Sequence, residues 1–119
     1  MKVLIVEPLK DPYVKDIDSS LVSMQSVVGG LIQAIYPFDH PVALICNEEG
    51  KLIGLPPNRR MGRDIICGTF YFLGQDPDEG ELTSLPEHLI EYLSKQYAVP
   101  DVIDPEEVEK TIMTEFYVI

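Results

Sequence analysis

Two apolar segments place the strongest constraint on how this chain folds. Residues 42–46 read VALIC and residues 65–73 read IICGTFYFL, the longest run of this kind. β-Branched and aromatic residues favour strands, and a strand that is apolar on both sides has to be covered on both faces. The segments therefore predict a sheet with residues 42–46 at its centre. Gly68, inside the longer segment, indicates a bulge or a close backbone approach.

Shorter segments with strand character flank these two and are separated by turn residues. They predict further strands at residues 2–7, 13–17, 31–36 and 51–55. The first two form an N-terminal hairpin. The last is the expected partner of residues 42–46, because Asn47-Glu48-Glu49-Gly50 suits a type I turn. Pro56-Pro57 ends that partner strand, and residues 58–63 are predicted to form a basic loop.

Capping signals predict the helices. Asp18-Ser19-Ser20 offers side-chain oxygens to the first N–H groups of a helix that Gly29-Gly30 terminates. Ser84-Leu85-Pro86-Glu87 has the pattern of a capping box, and Asp104-Pro105-Glu106-Glu107 repeats it with proline at the first helical position. Two C-terminal helices are therefore expected.

The order of elements predicts one α+β domain spanning residues 1–119. Its strands and first helix follow the order ββαβββ, and the C-terminal helices come after them. A helix that crosses over and returns to the sheet predicts a mixed sheet, with helices mainly on one face. Residues 101–119 supply the last helix and a tail, TEFYVI at 114–119, with the composition of an edge strand.

Charge and composition exclude several classes of protein. The formal net charge is −11, from 20 acidic and nine basic residues, so direct binding to a nucleic-acid backbone is not expected. The apolar start of the chain is too short for a signal-peptide core or a membrane span, which predicts a cytoplasmic protein. Two cysteines in separate apolar runs are not typical of a disulfide scaffold.

Two possible reactive constellations are better explained structurally. Cys46 or Cys67 could pair with a histidine, His40 or His88, but both thiols lie in apolar strands typical of core cysteine. Residues 76–87 loosely resemble a calcium loop. Their glycine stands at the fifth position instead of the sixth, and no helix enters the loop. The sequence therefore predicts no metal and no cofactor.

A local concentration of basic residues is the strongest candidate for a binding site. Asn58, Arg59, Arg60 and Arg63 bring three of the chain's nine basic side chains into six residues. Guanidinium groups bind carboxylate or phosphate through paired hydrogen bonds. The alternative is that these arginines pair with the protein's own acids, such as Asp76, Asp78 or Glu48.

Three stretches, QSVVGGLIQAIYP, VALICNEEGKLIGLPPNR and DIICGTFYFLG, resemble the family called domain of unknown function 3846 over about residues 1–95. Its members are small proteins of Gram-positive bacteria, their phages and their plasmids, and the resemblance implies no known activity. The loop at Met61-Gly62 is shorter than in many members, and the chain from Asp101 onward lies outside the pattern. The motif positions are Gln25, Gly29, Gly30, Asn47, Glu48, Gly50, Leu55, Pro56, Asn58, Arg59 and Gly68.

These observations favour a small, non-catalytic binding protein that takes a protein partner or a small anionic ligand, and the family resemblance implies a phage or mobile-element setting. The candidate ligand-binding residues are Gln25, Asn47, Glu48, Asn58 and Arg59, expected at one rim of the sheet. One alternative is an enzyme that uses the same residues on a phosphorylated or amide substrate. Another is a structural homodimer, with residues 114–119 adding to a partner's sheet edge.

Overall fold

The structure is a computed structural model that describes the backbone of residues 1–117 and the side chains of residues 1–112. It confirms the α+β class and the predicted order of elements. In chain order the elements are β1 (Lys2–Val6), β2 (Tyr13–Asp16), α1 (Leu21–Val28), β3 (Ile32–Ile35), β4 (Val42–Asn47), β5 (Pro57–Met61), β6 (Asp64–Cys67), β7 (Phe70–Gln75), β8 (Leu82–Thr83), α2 (Glu87–Gln96) and α3 (Pro105–Tyr117).

The main sheet has the strand order β2-β1-β7-β4-β3, and β8 pairs with β7. Every paired neighbour among these described strands is antiparallel, so the prediction of a mixed sheet is wrong. The strand β7 separates the β1–β2 hairpin from the β3–β4 hairpin, and it pairs antiparallel with both β1 and β4.

Both faces of the sheet are covered, which explains why β4 and most of β7 are apolar without interruption. Phe70 and Phe72 of β7 point to one side, where they pack with α2 and the β5–β6 hairpin. Tyr71 and Leu73 point to the other side, where they pack with α1. Since α3 contacts β6 of that hairpin, two helices lie on the hairpin side. All six residues of β4 are buried, as expected for a central strand.

Residues 51–55 do not form the predicted strand. They form turns, with Ile53 N donating to Glu49 O at 3.0 Å and Leu55 N donating to Gly50 O at 2.9 Å. The prediction was wrong because β3 and β7 already occupy the two sides of β4, which leaves no edge for a further partner.

The predicted basic loop at residues 58–63 is largely strand. β5 and β6 pair as a separate two-stranded sheet that turns at Gly62-Arg63. The predicted strand at residues 65–73 is two strands, β6 and β7, which separate at Gly68. That residue has a φ of 86°, and an added Cβ would stand 2.7 Å from Leu55 Cδ1. The backbone of Pro56 also lies close, because Gly68 N donates to Pro56 O at 2.7 Å.

The caps agree only in part with prediction. Ser20 caps α1 by accepting from Ser23 N, and Gly29 ends the helix in the left-handed conformation. The predicted box before α2 is wrong, because Ser84 Oγ accepts from Lys2 N and the helix begins after Pro86. Asp104 caps α3 by accepting from Glu106 N at 2.9 Å.

The C-terminal tail continues α3 as far as Tyr117. Residues 114–117 are therefore helical and do not form the predicted edge strand, while residues 118–119 lie outside the described residues. Among the described helices, none has both the length and the apolar composition needed to cross a bilayer.

Candidate functional site

Asn58, a predicted site residue, is fully buried and connects three segments of backbone. Its Nδ2 donates to Val6 O at 2.8 Å and to Gly68 O at 2.9 Å. Its Oδ1 accepts from Arg59 Nη1 at 2.9 Å. The amide therefore ties the end of β1 to the β6–β7 junction, and a ligand would reach it only by displacing these bonds.

Arg59 is also buried, with 1% of its surface exposed. Its Nη2 donates to Lys10 O at 2.7 Å and to Tyr97 O at 3.1 Å, and its Nε donates to Tyr97 O at 3.3 Å. Burial lowers the pKa of the guanidinium, while the charges of Asp101 and Asp11 act in the opposite direction. Arg59 thus joins the β1–β2 loop to the end of α2.

Asn47 lies at the end of β4 and is buried. Its Nδ2 donates to Val28 O at 3.2 Å, and its Oδ1 accepts from Glu49 N at 2.8 Å. A Cβ on Gly30 would stand 2.9 Å from Asn47 Nδ2, so the second glycine of the Gly29-Gly30 pair leaves room for this amide. The glycine pair and Asn47 together fix how α1 ends against the sheet.

The five predicted site residues do not converge on one patch. Asn58 and Arg59 bond to each other beneath α2, whereas Asn47 and Glu48 line a cavity on another part of the surface. Gln25 is half-buried on α1 and lies outside the lining of that cavity. Its backbone oxygen accepts from Gly29 N and Gly30 N.

A concavity lies between the end of β4, the β5–β6 hairpin and α3. It consists of an inner cavity of about 430 Å³ and an outer cavity of about 530 Å³, which share Asp64 and Ile65. We call the two together the hairpin cleft. The inner cavity is lined by Gln33, Ile35, Cys46, Asn47, Glu48, Glu49, Gly50, Lys51, Leu52, Asp64, Ile65, Ile66, Cys67 and Ile112. The outer cavity is lined by Arg60, Gly62, Arg63, Asp64, Ile65, Glu107, Lys110 and Thr111.

Ion pairs organise the mouth of the cleft. Lys51 Nζ contacts Asp64 Oδ1, and Ile65 N donates to the same carboxylate oxygen at 2.8 Å. Arg60 donates from Nε and Nη2 to the two oxygens of Glu107, at 2.9 and 3.0 Å. These bonds lower the pKa of Glu107 and raise that of Arg60. Arg60 therefore pairs with the protein's own acids, as the sequence alternative held, although not with the acids named there.

Basic side chains gather in the hairpin cleft, and an equal number of acidic ones line it with them, namely Glu48, Glu49, Asp64 and Glu107. Lys51 lines the inner cavity and Arg60, Arg63 and Lys110 line the outer one, which makes four of the chain's nine basic residues. Arg63 is exposed and makes no hydrogen bond or ion pair with any residue the structure describes. Its guanidinium is thus available to a ligand. The sequence indicated Arg60 and Arg63, but gave no signal that Lys110 of α3 would join them.

The cysteines and histidines lie apart. Cys46 and Cys67 are buried in the lining of the inner cavity, and burial raises the pKa of both thiols, that of Cys46 to about 11. His40 and His88 line a different cavity of about 330 Å³ beside α2. A Cys–His pair is therefore not assembled, and the interpretation of the thiols as core cysteines is confirmed.

The acidic segment at residues 76–87 begins with a turn at residues 77–79 that uses its own carboxylate, and β8 and the start of α2 follow. Asp76 Oδ1 accepts from Asp78 N at 2.8 Å and from Glu79 N at 3.3 Å. Within the described residues there is no group of three or more His, Cys, Asp or Glu side chains placed to hold a metal ion.

An antiparallel sheet covered on both faces, with a charged cleft beside an accessory hairpin, defines a small α+β domain with a surface concavity. Residues 1–98 match the family described as Domain of unknown function (DUF3846), and the chain belongs to that family. The match agrees with the resemblance seen in the sequence and ends just after α2. Comparison with curated proteins found no match, nor did comparison with solved structures.

Proposed function

We propose that this protein is a non-catalytic binding protein whose hairpin cleft takes up a small anionic group, a phosphate or a carboxylate. The observation that carries the proposal is the outer cavity, where three basic residues outnumber two acidic ones and where the Arg63 side chain has no partner among the described residues. Guanidinium groups bind such anions through charge-assisted hydrogen bonds.

The overall charge favours a small ligand over a large polyanion. At a net charge of −11 the surface repels extended phosphate backbones, whereas a small anion in the outer cavity experiences mainly the nearby charges, among which basic groups are in excess. The raised pKa values of Cys46 and Cys67 support a binding role over nucleophilic catalysis, because the thiolate is the reactive form. A phage or mobile-element setting belongs to the same proposal and rests on the family resemblance alone.

Inorganic phosphate is the probe that tests this proposal, titrated into the full chain while amide chemical shifts are followed by NMR. Signals of residues 60–65 and 107–111 should move together. The variant Arg63→Gln should bind phosphate about tenfold more weakly, since a hydrogen bond to a charged group contributes about 1.5–3 kcal/mol.

Lys15→Gln supplies the matched control. The Lys15 side chain is exposed on β2 and, like that of Arg63, has no hydrogen bond or ion pair with a described residue, but it lies on the far edge of the main sheet. Lys15→Gln removes one positive charge, as Arg63→Gln does, and should leave phosphate affinity within about twofold, since exposed charges distant from the ligand are screened. Equal weakening by both variants, or shifts confined to other regions, would refute the proposed site.

A further inference from the structure

Helix α3 forms one wall of the hairpin cleft. Ile112 contributes to the inner cavity, and Glu107, Lys110 and Thr111 contribute to the outer one. The family match ends at residue 98 and α3 begins at Pro105, so this wall is an addition to the part of the chain that the family covers.

Arg60 of the hairpin makes several polar contacts with α3 and with the segment that leads into it. Besides the two bonds to Glu107, Arg60 N donates to Asp101 Oδ2 at 2.9 Å and Arg60 Nη2 donates to Val102 O at 3.4 Å. We call this group the Arg60 latch. The side chains of Arg60 and Glu107 are 44% and 42% exposed, and water weakens the attraction within an exposed ion pair.

The segment that leads into α3 is only partly packed. Residues 98–104 contain no helix or strand, Val99 and Val102 are 80% and 86% exposed, and the segment's other apolar residues are half-buried. Val108 and Ile112 of α3 are also half-buried, in contrast to the fully buried central strand of the main sheet. Partly buried, peripheral elements of this kind open at a lower free energy than a buried core unfolds.

We propose that α3 is an opening wall of the hairpin cleft and that the Arg60 latch sets how often the inner cavity is accessible. The inference rests on the proposed function in that it describes regulation of the same cleft. Breaking the latch frees the first turns of α3, while the sheet and its two apolar cores stay intact.

The two cysteines report on this opening without any ligand. Cys46 and Cys67 are 5% and 4% exposed and line the inner cavity behind α3. A neutral maleimide in phosphate-free buffer should alkylate the full-length chain at a rate proportional to the open fraction. Glu107→Gln should raise that rate about 3-fold and Arg60→Gln about 10-fold, as expected from loss of one ion pair or of the whole side-chain network.

Lys95→Gln is the control, because Lys95 and Glu91 form an exposed ion pair at 3.3 Å on α2, away from the cleft. It should leave the alkylation rate unchanged. Urea unfolding of each variant measures the unfolded population, and the increase in rate has to exceed the increase in that population. Unchanged rates in both latch variants, or rates that follow global unfolding, would overturn the inference.

The two proposals fail in different ways. Because the alkylation assay contains no anion, a fast-reacting Arg60→Gln or Glu107→Gln variant supports the opening wall even where phosphate fails to bind wild-type protein. Conversely, if phosphate binding depends on Arg63 but the latch variants leave the alkylation rate unchanged, the binding proposal stands and the opening wall is refuted. Should Arg60→Gln fold poorly, Glu107→Gln alone decides the question.

Discussion

Arg59 and Arg60 are neighbours in β5, yet they serve different purposes. Successive side chains of a strand point to opposite faces, so Arg59 enters the interior while Arg60 reaches solvent and α3. Arg59 donates to the backbone oxygens of Lys10 and Tyr97. Water could bond to these oxygens only if the guanidinium moved away. We interpret Arg59 as a stabilising residue of the fold.

Replacing Arg59 by leucine should destabilise the protein strongly. The change leaves the oxygens of Lys10, Asn58 and Tyr97 without the donors they have now, and such losses amount to about 3 kcal/mol or more in the free energy of unfolding. Urea denaturation measures it. Arg63→Leu makes the same chemical change at an exposed position and should stay within about 0.5 kcal/mol of wild type. Similar values for the two variants would contradict the structural role of Arg59.

The sequence identified the unusual polar residues, but it did not show that they form hydrogen bonds inside the protein. Asn58 and Arg59 stand out by type and spacing, and the structure gives both of them specific partners in the interior. Residue type alone does not tell whether a guanidinium will meet a ligand or a distant backbone carbonyl. Those carbonyls lie 49 and 38 residues away, at Lys10 and Tyr97.

At the scale of elements, the sequence predicted correctly those segments whose turns and caps depend on residues close by in the chain. The N-terminal hairpin, α1 and β4 lie where the pattern placed them, because Ser20, Gly29 and the apolar runs act within a few residues. Residues 51–63 were misassigned because the pairing of β5 with β6 is decided by which strand edges remain available. Two arginines in five residues also gave β5 little strand character.

Gly68 separates β6 from β7, and alanine at this position should be poorly tolerated. The φ of 86° is unfavourable for a residue with a Cβ, and that Cβ would stand 2.7 Å from Leu55 Cδ1. Gly68→Ala should lower the free energy of unfolding by about 2–4 kcal/mol, as strain and crowding add.

Gly62→Ala provides the comparison, because Gly62 has a φ of 62° and open space around its Cβ position. Gly62→Ala should therefore lower the free energy of unfolding only by the cost of the left-handed backbone conformation, about 1–2 kcal/mol. Chemical denaturation of the pair isolates the contact with Leu55. If Gly68→Ala is no more destabilising than Gly62→Ala, that contact adjusts without penalty.

At the scale of the whole molecule, a buried thiol and a buried phenol with raised pKa values make the protein less stable at alkaline pH. Burial raises the pKa of Cys46 from its ordinary 9.0 to about 11, and that of Tyr71 from 10.0 to about 12. Between these values the folded state retains protons that the unfolded chain has released. The stability that these two protonated groups contribute is therefore fully present below pH 9. It is lost as the pH rises through about 11 for Cys46 and about 12 for Tyr71.

The free energy of unfolding should fall from about pH 9 upward, by at most about 1.4 kcal/mol per pH unit for each such group. Urea denaturation at pH 7, 9, 10 and 11 gives the slope. Cys46→Ala removes one of the groups and should give a shallower decline between pH 9 and 11. An identical decline in wild type and variant would show that the Cys46 proton contributes nothing.

The position of β7 bears on how the chain is made. Before residue 75 leaves the ribosome, the β1–β2 and β3–β4 hairpins share no neighbouring strand, since the one that pairs with both is β7. The strand edges that β7 will cover stay unpaired during the synthesis of roughly thirty further residues. Unpaired strand edges and uncovered apolar surface of this kind promote aggregation. A nascent chain halted near residue 60 is therefore the form of this protein most in need of a chaperone.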